Sequence, residues 1–336
     1  MSGLFIFTKS RNLETELEQQ KKYLGHVESL RAIAALMVLL FHFISFEDAG
    51  DPLLANETIR TCSEFGAQGV ELFYLISGFV IYYSLTNFNI RLTDYPKYVA
   101  KRVIRIFPAF WGTIFLIGIT PFIWNRPFPY SFTQLLQNAT LTVDVFNTSS
   151  WMNPIFQTLK VEFIFYILIG FLVLPMKKAA WHYAVILVSA LVLTYFYHTI
   201  DFVHNVPFFL IGIACCEIFR SRQVILNYGL ISGCLLFLYL VFPMEDVVIS
   251  LIGVILLLWL PIKIRITERI GQFSYSIYLT HGFSGGIFLS YCKHHLADFN
   301  PWICIVMATA LALGFAYVYY RIIEKRTIDW SKRIRY

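Results

Sequence analysis

Arg31 and His42 stand eleven residues apart in VESLRAIAALMVLLFHFISF, a run that is otherwise largely apolar. An ionisable side chain at membrane depth is costly and marks a candidate functional position. An imidazole takes or releases a proton near neutral pH. A guanidinium holds anions through forked, charge-assisted bonds. Two further proton-handling candidates lie in apolar stretches: Glu162 in QTLKVEFIFY and His281 in GQFSYSIYLTH. A carboxylate beside an imidazole fixes its tautomer and stabilises the imidazolium, an arrangement suited to acyl transfer onto a hydroxyl. Arg102 and Arg105, in YPKYVAKRVIRIFP, share one face of a helix start. With Arg31 they form a set able to hold the phosphates of a cytosolic cofactor. Each residue alone also has a plainer account: Glu162 pairing with a Tyr or Lys160, each His bonded to a backbone carbonyl, the arginines touching lipid headgroups.

The elements that position these residues follow from composition. The 336 residues are 57% hydrophobic and only 14% charged, with a mean hydropathy of +0.63. A soluble domain carries about 25% charged residues. The chain therefore reads as all-α, one polytopic membrane domain. Its 32 Phe and 20 Tyr suit lipid contact and interfacial belts. No aromatic-basic interleaving, zinc-finger spacing or glycine-rich phosphate loop points to nucleic acid or nucleotide. Apolar stretches predict about ten spans, at roughly 30–47, 69–86, 106–123, 156–175, 180–197, 206–219, 225–242, 246–262, 273–291 and 301–320. The division is an N-terminal segment 1–29, a membrane domain 30–321 and a basic tail 322–336. ETELEQQKKYL reads as a short surface helix, and no cleavable signal precedes the first span, which stays as an anchor.

Basic residues segregate. With the amino end inside, the cytoplasmic segments hold Lys9, Arg11, Lys21, Lys22, Arg91, Lys97, Lys101, Arg102, Arg105, Lys177, Lys178, Arg220, Arg222, Lys263, Arg265, Arg269 and the tail. The opposite face holds Arg60, Arg126 and Lys293. Positive-inside bias then places both termini in the cytoplasm. At 1.5 Å per residue, His42 lies about 16 Å outward of Arg31, Glu162 roughly 9 Å below the outer surface, and His281 roughly 12 Å above the inner one. Those depths let His42, Glu162 and His281 face one cavity.

Weaker signals remain. The outer loop near 124–155 suits either a mouth for a polar acceptor or a solvated connector. Asn56, Asn138 and Asn147 begin glycosylation-type triplets in outer loops. Cys62 and Cys292 lie outward and are expected to be able to pair, while Cys215, Cys216, Cys234 and Cys304 read as buried hydrophobes. No metal pattern emerges; His198, Asp201 and His204 are three loose ligands in a short loop. Ser77 and Gly78 suit close helix packing, and Gln68 and Glu71 an interface. Ser274, Tyr275, Ser276 and Tyr278 suit packing, with room for one cavity donor. Glu324 reads as locally paired.

Over nearly its whole length the sequence resembles the integral-membrane acyltransferase-3 family. The resemblance rests on LRAIAALMVLLFHF with Arg31 and His42, GVELFYLISGFVI, KRVIRIFP with Arg102 and Arg105, QTLKVEFIFY with Glu162, and GQFSYSIYLTH ending at His281, in that order. It implies transfer of an acyl group, usually acetyl, from acyl-CoA onto extracytoplasmic carbohydrate such as surface polysaccharide, lipopolysaccharide O-antigen or peptidoglycan. It also implies a multi-pass protein of the bacterial inner membrane, with lipids and a free or lipid-linked carbohydrate as partners and no metal. Arg31 and His42 would inherit the paired essential roles, and Glu162 that of the span-four acid. Glu28 and Ser29 depart from the family's acidic residue and Gly before the first Leu-Arg. The family's span-four Trp is absent, with Gln157 and Thr158 before Leu159. The soluble hydrolase-like domain of some larger members is not seen.

The expected mechanism has acyl-CoA docked at Arg31, Arg102 and Arg105, and His42, oriented by Glu162, as base or transient acyl carrier. The alternative is a transporter or flippase for an acylated or anionic small molecule or glycan, and a third reading is a silent membrane scaffold.

Overall fold

Long apolar segments entering lipid must close their own backbone hydrogen bonds, and helices do so within a single segment. The computed structural model describes residues 25–334, apart from 49–50, 55, 88–90, 124–125, 147, 261, 263 and 297–298. The expected surface helix ETELEQQKKYL, Lys9, Arg11, Lys21, Lys22, Lys263 and Asn147 lie outside the described residues. The helices in chain order are α1 (Gly25–Ile44), α2 (Glu57–Glu64), α3 (Gly69–Asn87), α4 (Tyr95–Ile123), α5 (Phe132–Ala139), α6 (Val143–Phe146), α7 (Ile155–Met176), α8 (Ala180–Tyr197) and α9 (Asp201–His204). They continue as α10 (Val206–Phe219), α11 (Val224–Val241), α12 (Met244–Leu258), α13 (Arg265–Gly271), α14 (Ser274–His281), α15 (Ile287–His295), α16 (Pro301–Tyr319) and α17 (Lys325–Arg333). A two-residue hairpin, Glu47–Asp48 with Asp51–Pro52, follows α1.

The all-α, polytopic membrane architecture is as expected. Eight helices among the described residues are long and apolar enough to cross a membrane, against the ten spans expected. The difference has two sources. The 246–262 stretch forms α12, a helix of only 15 residues. The 273–291 stretch is three consecutive helical pieces of 8, 5 and 9 residues, and its Ser, Tyr and His residues lower its hydropathy.

At the centre α3 and α10 meet almost backbone to backbone. A Cβ on Gly78 would strike the carbonyl of Phe209, and one on Gly212 the carbonyl of Leu75. Around this contact Phe165 stacks on Phe209 at 4.0 Å between centroids, tying in α7. By contrast α8 and α11 bury only 17% and 22% of their apolar windows, against 61% for the segment containing α10; they form the periphery. The hydroxyls of Tyr95 and Tyr98 donate to the carbonyls of Ile167 and Tyr166, pinning the start of α4 to α7.

Two single π-helical turns interrupt the C-terminal third, at Gly282–Gly286 and Tyr320–Glu324. The second leads into α17, so residues 322–333 are not a loose tail. There α17 returns onto α4, with Thr327 Oγ1 donating to the carbonyl of Arg105.

Two smaller expectations, on Cys62 with Cys292 and on Asn138, are corrected. Cys62 is exposed and Cys292 buried, and both are free. Asn138 is fully buried, its amide donating to the carbonyls of Gln134 and Ser150 and accepting from Met152 N, so no glycan can reach it. Asp201 accepts from Gln157 and pairs with Lys160, and among the described residues no three metal-ligating side chains cluster.

Candidate active site

His42 projects from α1 with Nδ1 2.8 Å from the carbonyl oxygen of Val38. His281 closes α14 with Nδ1 3.1 and 2.9 Å from the carbonyls of Ile277 and Tyr278. A carbonyl only accepts, so each Nδ1 carries the hydrogen and each Nε2 keeps its lone pair. The two rings lie 5.0 Å apart between centroids, tilted by 51°. Two proton acceptors therefore converge on one space.

Gly285 makes that approach sterically allowed. A Cβ there would meet the ring of Phe43 on α1 and the carbonyl of Ala308 on α16. The π-turn after His281 thus packs tightly against the helix that carries His42. His281 is buried, whereas His42 is exposed. His42 shares a helical face with Arg31, Ala35 and Val38, opposite the 40%-exposed Leu40. Ala35 and Val38 on that face are buried in the protein, so the side of α1 that carries His42 is the side turned toward the other helices.

A second chamber lies beside it. Arg31, Arg102, Arg105, Glu162, Ser77, Tyr166 and Glu324 line a cavity of about 90 Å³ together with Tyr275, Tyr278 and Thr158. Its charge balance is unusual. Arg102 is 6% exposed, lies 5.2 and 5.6 Å from the ring centroids of Tyr98 and Tyr166, and has no partner for Nε. A buried guanidinium donor left unmade calls for an explanation, and an anionic ligand supplies one. Among the described residues Arg31 makes one long ion pair, 3.7 Å to Glu28. The carboxylate of Glu324, brought in by the second π-turn, accepts from Ser276 N at 3.2 Å and from Ser276 Oγ at 2.5 Å.

The expected residues thus fall into two groups. His42 and His281 meet. Arg31, Arg102, Arg105 and Glu162 meet in the neighbouring chamber, which neither histidine lines. The expected contact between Glu162 and His42 is not made. Glu162 accepts from Ser77 Oγ at 2.6 Å and from the Tyr166 hydroxyl, and the Val38 carbonyl orients His42. Tyr278 joins the groups: it lines the arginine chamber, its ring is 6.4 Å from that of His281, and its hydroxyl is bonded to Thr158. Phe73 packs edge-on against it at 5.7 Å.

Ser77, Tyr166, Tyr278 and Glu324 carry more than sequence reasoning assigned them. Tyr166 follows Glu162 by four residues and so shares its helical face, a signal present in the sequence. Nothing local marked Glu324, because a π-turn sets its direction.

A family model described as an acyltransferase domain matches residues 25–321, from the start of α1 into the second π-turn. The chain belongs to the acyltransferase-3 family. Among curated proteins it is similar to Nodulation protein 10 of Rhizobium leguminosarum bv. viciae, with 28% identity over 182 residues. That match covers 49% of this chain and 47% of the relative, so the chain spans about half the length of the curated relative it matches. No solved structure matches the chain. The family match contains both histidines, all three arginines and Glu162, and stops just short of Glu324.

Proposed function

We propose that this acyltransferase-3 member moves an acyl group, most readily acetyl, from cytosolic acyl-CoA to a hydroxyl of an extracytoplasmic or membrane-linked carbohydrate. The observation that carries the reading is the position of Tyr278, one side on a chamber of three guanidinium groups and the other beside two imidazoles with free Nε2 lone pairs. Arg31, Arg102 and Arg105 hold the phosphates of the donor through charge-assisted bonds. The thioester arm passes Tyr278 and Thr158, which line the chamber.

His42 Nε2 accepts the proton of the acceptor hydroxyl as its oxygen attacks the thioester carbonyl carbon. The new C–O bond forms and negative charge develops on the carbonyl oxygen, which calls for hydrogen-bond donors. The C–S bond then breaks, and the imidazolium returns its proton to the departing thiolate. The products are an ester and coenzyme A. In a two-step variant His42 Nε2 itself attacks the thioester carbonyl, the C–S bond breaks and the coenzyme A thiolate departs, and the acceptor hydroxyl then takes the acyl group from Nε2, its proton neutralising the thiolate. The positive-inside pattern puts the arginine chamber on the cytoplasmic side of a bacterial inner membrane.

The test is purified protein in nanodiscs with acetyl-labelled acetyl-CoA and a cell-surface glycan fraction. Ester-linked label on glycan, lost in His42→Ala, is the expected result. Undiminished transfer by His42→Ala overturns the role given to that residue. In proteoliposomes, glycan movement across the bilayer without new ester replaces the enzyme reading with transport.

A further inference from the structure

A second cavity lies against the π-turn that follows His281. It measures about 550 Å³ and is lined by Thr120 at the end of α4, Arg126 and Tyr130 from the following loop, Asn153 before α7, and Gly282 and Phe283 of the first π-turn. Its size falls in the range of small-molecule sites, about 300–1,000 Å³. Gly282 is the residue after His281, and a Cβ on Gly282 would meet nothing within 4 Å. This vestibule therefore borders the π-turn directly after His281.

The walls are held in place. Asn138 ties α5 to Ser150 and Met152, and Trp151 Nε1 donates to Asp144. Lys160 on α7 pairs with Asp144 and Asp201. Tyr130 stands edge-on to Phe128 at 5.5 Å, and Phe128 stacks on Phe122 at 5.8 Å. Partial burial pushes the Tyr130 phenol up from its ordinary value, so it stays a hydrogen-bond donor at neutral pH.

The chemistry of these walls is specific. Tyr130 and Phe283 offer aromatic surface for the C–H face of a sugar ring, and Asn153, Thr120 and Tyr130 offer polar groups for hydroxyls. Charge narrows the ligand further. Of the outward cations, Arg60 pairs with Glu47 and Lys293 is also engaged, while Lys160 on α7 pairs with two aspartates. Arg126 makes no ion pair among the described residues and lines the vestibule. A guanidinium without a carboxylate suits an anion.

We propose that this vestibule is the acceptor subsite and that it takes an anionic carbohydrate, either a sugar acid or a sugar phosphate, with its ring against Tyr130 and Phe283 and its charge on Arg126. The proposal rests on the acyl-transfer reading for the word acceptor, but not for the binding itself.

Binding is therefore tested apart from turnover. The full chain in nanodiscs is titrated with tetragalacturonate, glucose 6-phosphate and neutral maltotetraose, read by saturation-transfer NMR. Saturable binding of at least one anionic probe, about tenfold or more tighter than maltotetraose, is expected, a margin within the worth of one charge-assisted bond. The tighter anionic probe distinguishes carboxylate from phosphate. Arg126→Gln should remove the preference for the anion, and Arg126→Lys should keep part of it. Tyr130→Ala should weaken the anionic probes about tenfold, and Tyr130→Phe should retain most of the binding. A thermal midpoint for each variant guards against misfolding. Absence of saturable binding by any probe, equal binding of neutral and anionic probes, or wild-type binding in both Arg126→Gln and Tyr130→Ala overturns the proposal. Failure of the acyl-transfer reading looks different: probes bind as described, yet labelled acetyl-CoA yields no ester on any glycan.

Discussion

His42 on α1 and His281 at the end of α14 face each other at 5.0 Å between ring centroids, each with Nδ1 committed to a backbone carbonyl. The two side chains are remote in sequence, and the close approach of their segments includes the packing of Gly285 against the ring of Phe43. Backbone carbonyls, not a carboxylate, set both tautomers. The pair is a proton-accepting site built by helix packing.

Removing His42 removes the lone pair that meets the acceptor hydroxyl. His42→Ala should lower kcat by roughly 10²- to 10⁴-fold, the usual scale for a general base, with acyl-CoA affinity little changed. His281→Ala should also reduce kcat, by less. Labelled acetyl-CoA turnover and equilibrium binding of coenzyme A separate the two quantities.

Gly285 supports the pair without touching substrate. Gly285→Val would drive a side chain into Phe43 and the Ala308 carbonyl. Overpacking of this kind costs about 1–3 kcal/mol and here spreads α14 from α1. Activity should fall well below that of Gly286→Ala, whose added methyl meets open space. Turnover measured beside the thermal midpoint checks this: equal activity of the two variants would mean that the close approach is not needed.

Arg102 should govern donor affinity. A charge-assisted bond contributes about 1.5–3 kcal/mol, so Arg102→Ala should raise the KM for acyl-CoA by roughly 10- to 100-fold with a smaller change in kcat. Titration calorimetry with coenzyme A, compared with dephosphorylated analogues, tests whether the lost contact is to phosphate.

Gly212 is a packing residue. Gly212→Leu places a side chain against the Leu75 carbonyl in the central α3–α10 contact, and no rotamer relieves a clash at Cβ. The variant should fail to accumulate or should melt far below wild type. Gly229→Leu on peripheral α11, where a Cβ meets nothing, should be tolerated. Fluorescence-detected gel filtration reads both.

Lys160 binds Asp144 of α6 and Asp201 of α9 from α7. Lys160→Met leaves both carboxylates unpaired and should loosen residues 143–153. Hydrogen exchange should rise in that segment while the arginine chamber stays protected.

Much of this was legible before any coordinates. Apolar runs of about 18–20 residues determine membrane helices, and the Arg31, His42, Arg102, Arg105, Glu162 and His281 motifs carried the family resemblance that the match to residues 25–321 establishes. The number of spans was less legible, because the 274–295 segment trades hydropathy for Ser, Tyr and His residues near the site. Depth along a helix axis is a one-dimensional quantity. It put His42, Glu162 and His281 at overlapping heights but contained no rotation between helices.

Rotation is what the tertiary structure decided. It turned His42 and His281 toward each other, turned Glu162 to Ser77 and Tyr166, and set Tyr278 between the two groups. It also brought in Glu324 through a π-turn, a backbone register with no reliable local signal. The physical reason is one of range. Helix formation and membrane insertion depend on neighbours within a few turns, so the sequence determined them. The facing of side chains depends on contacts such as Gly285 with Phe43 and Gly78 with Phe209, made across hundreds of residues.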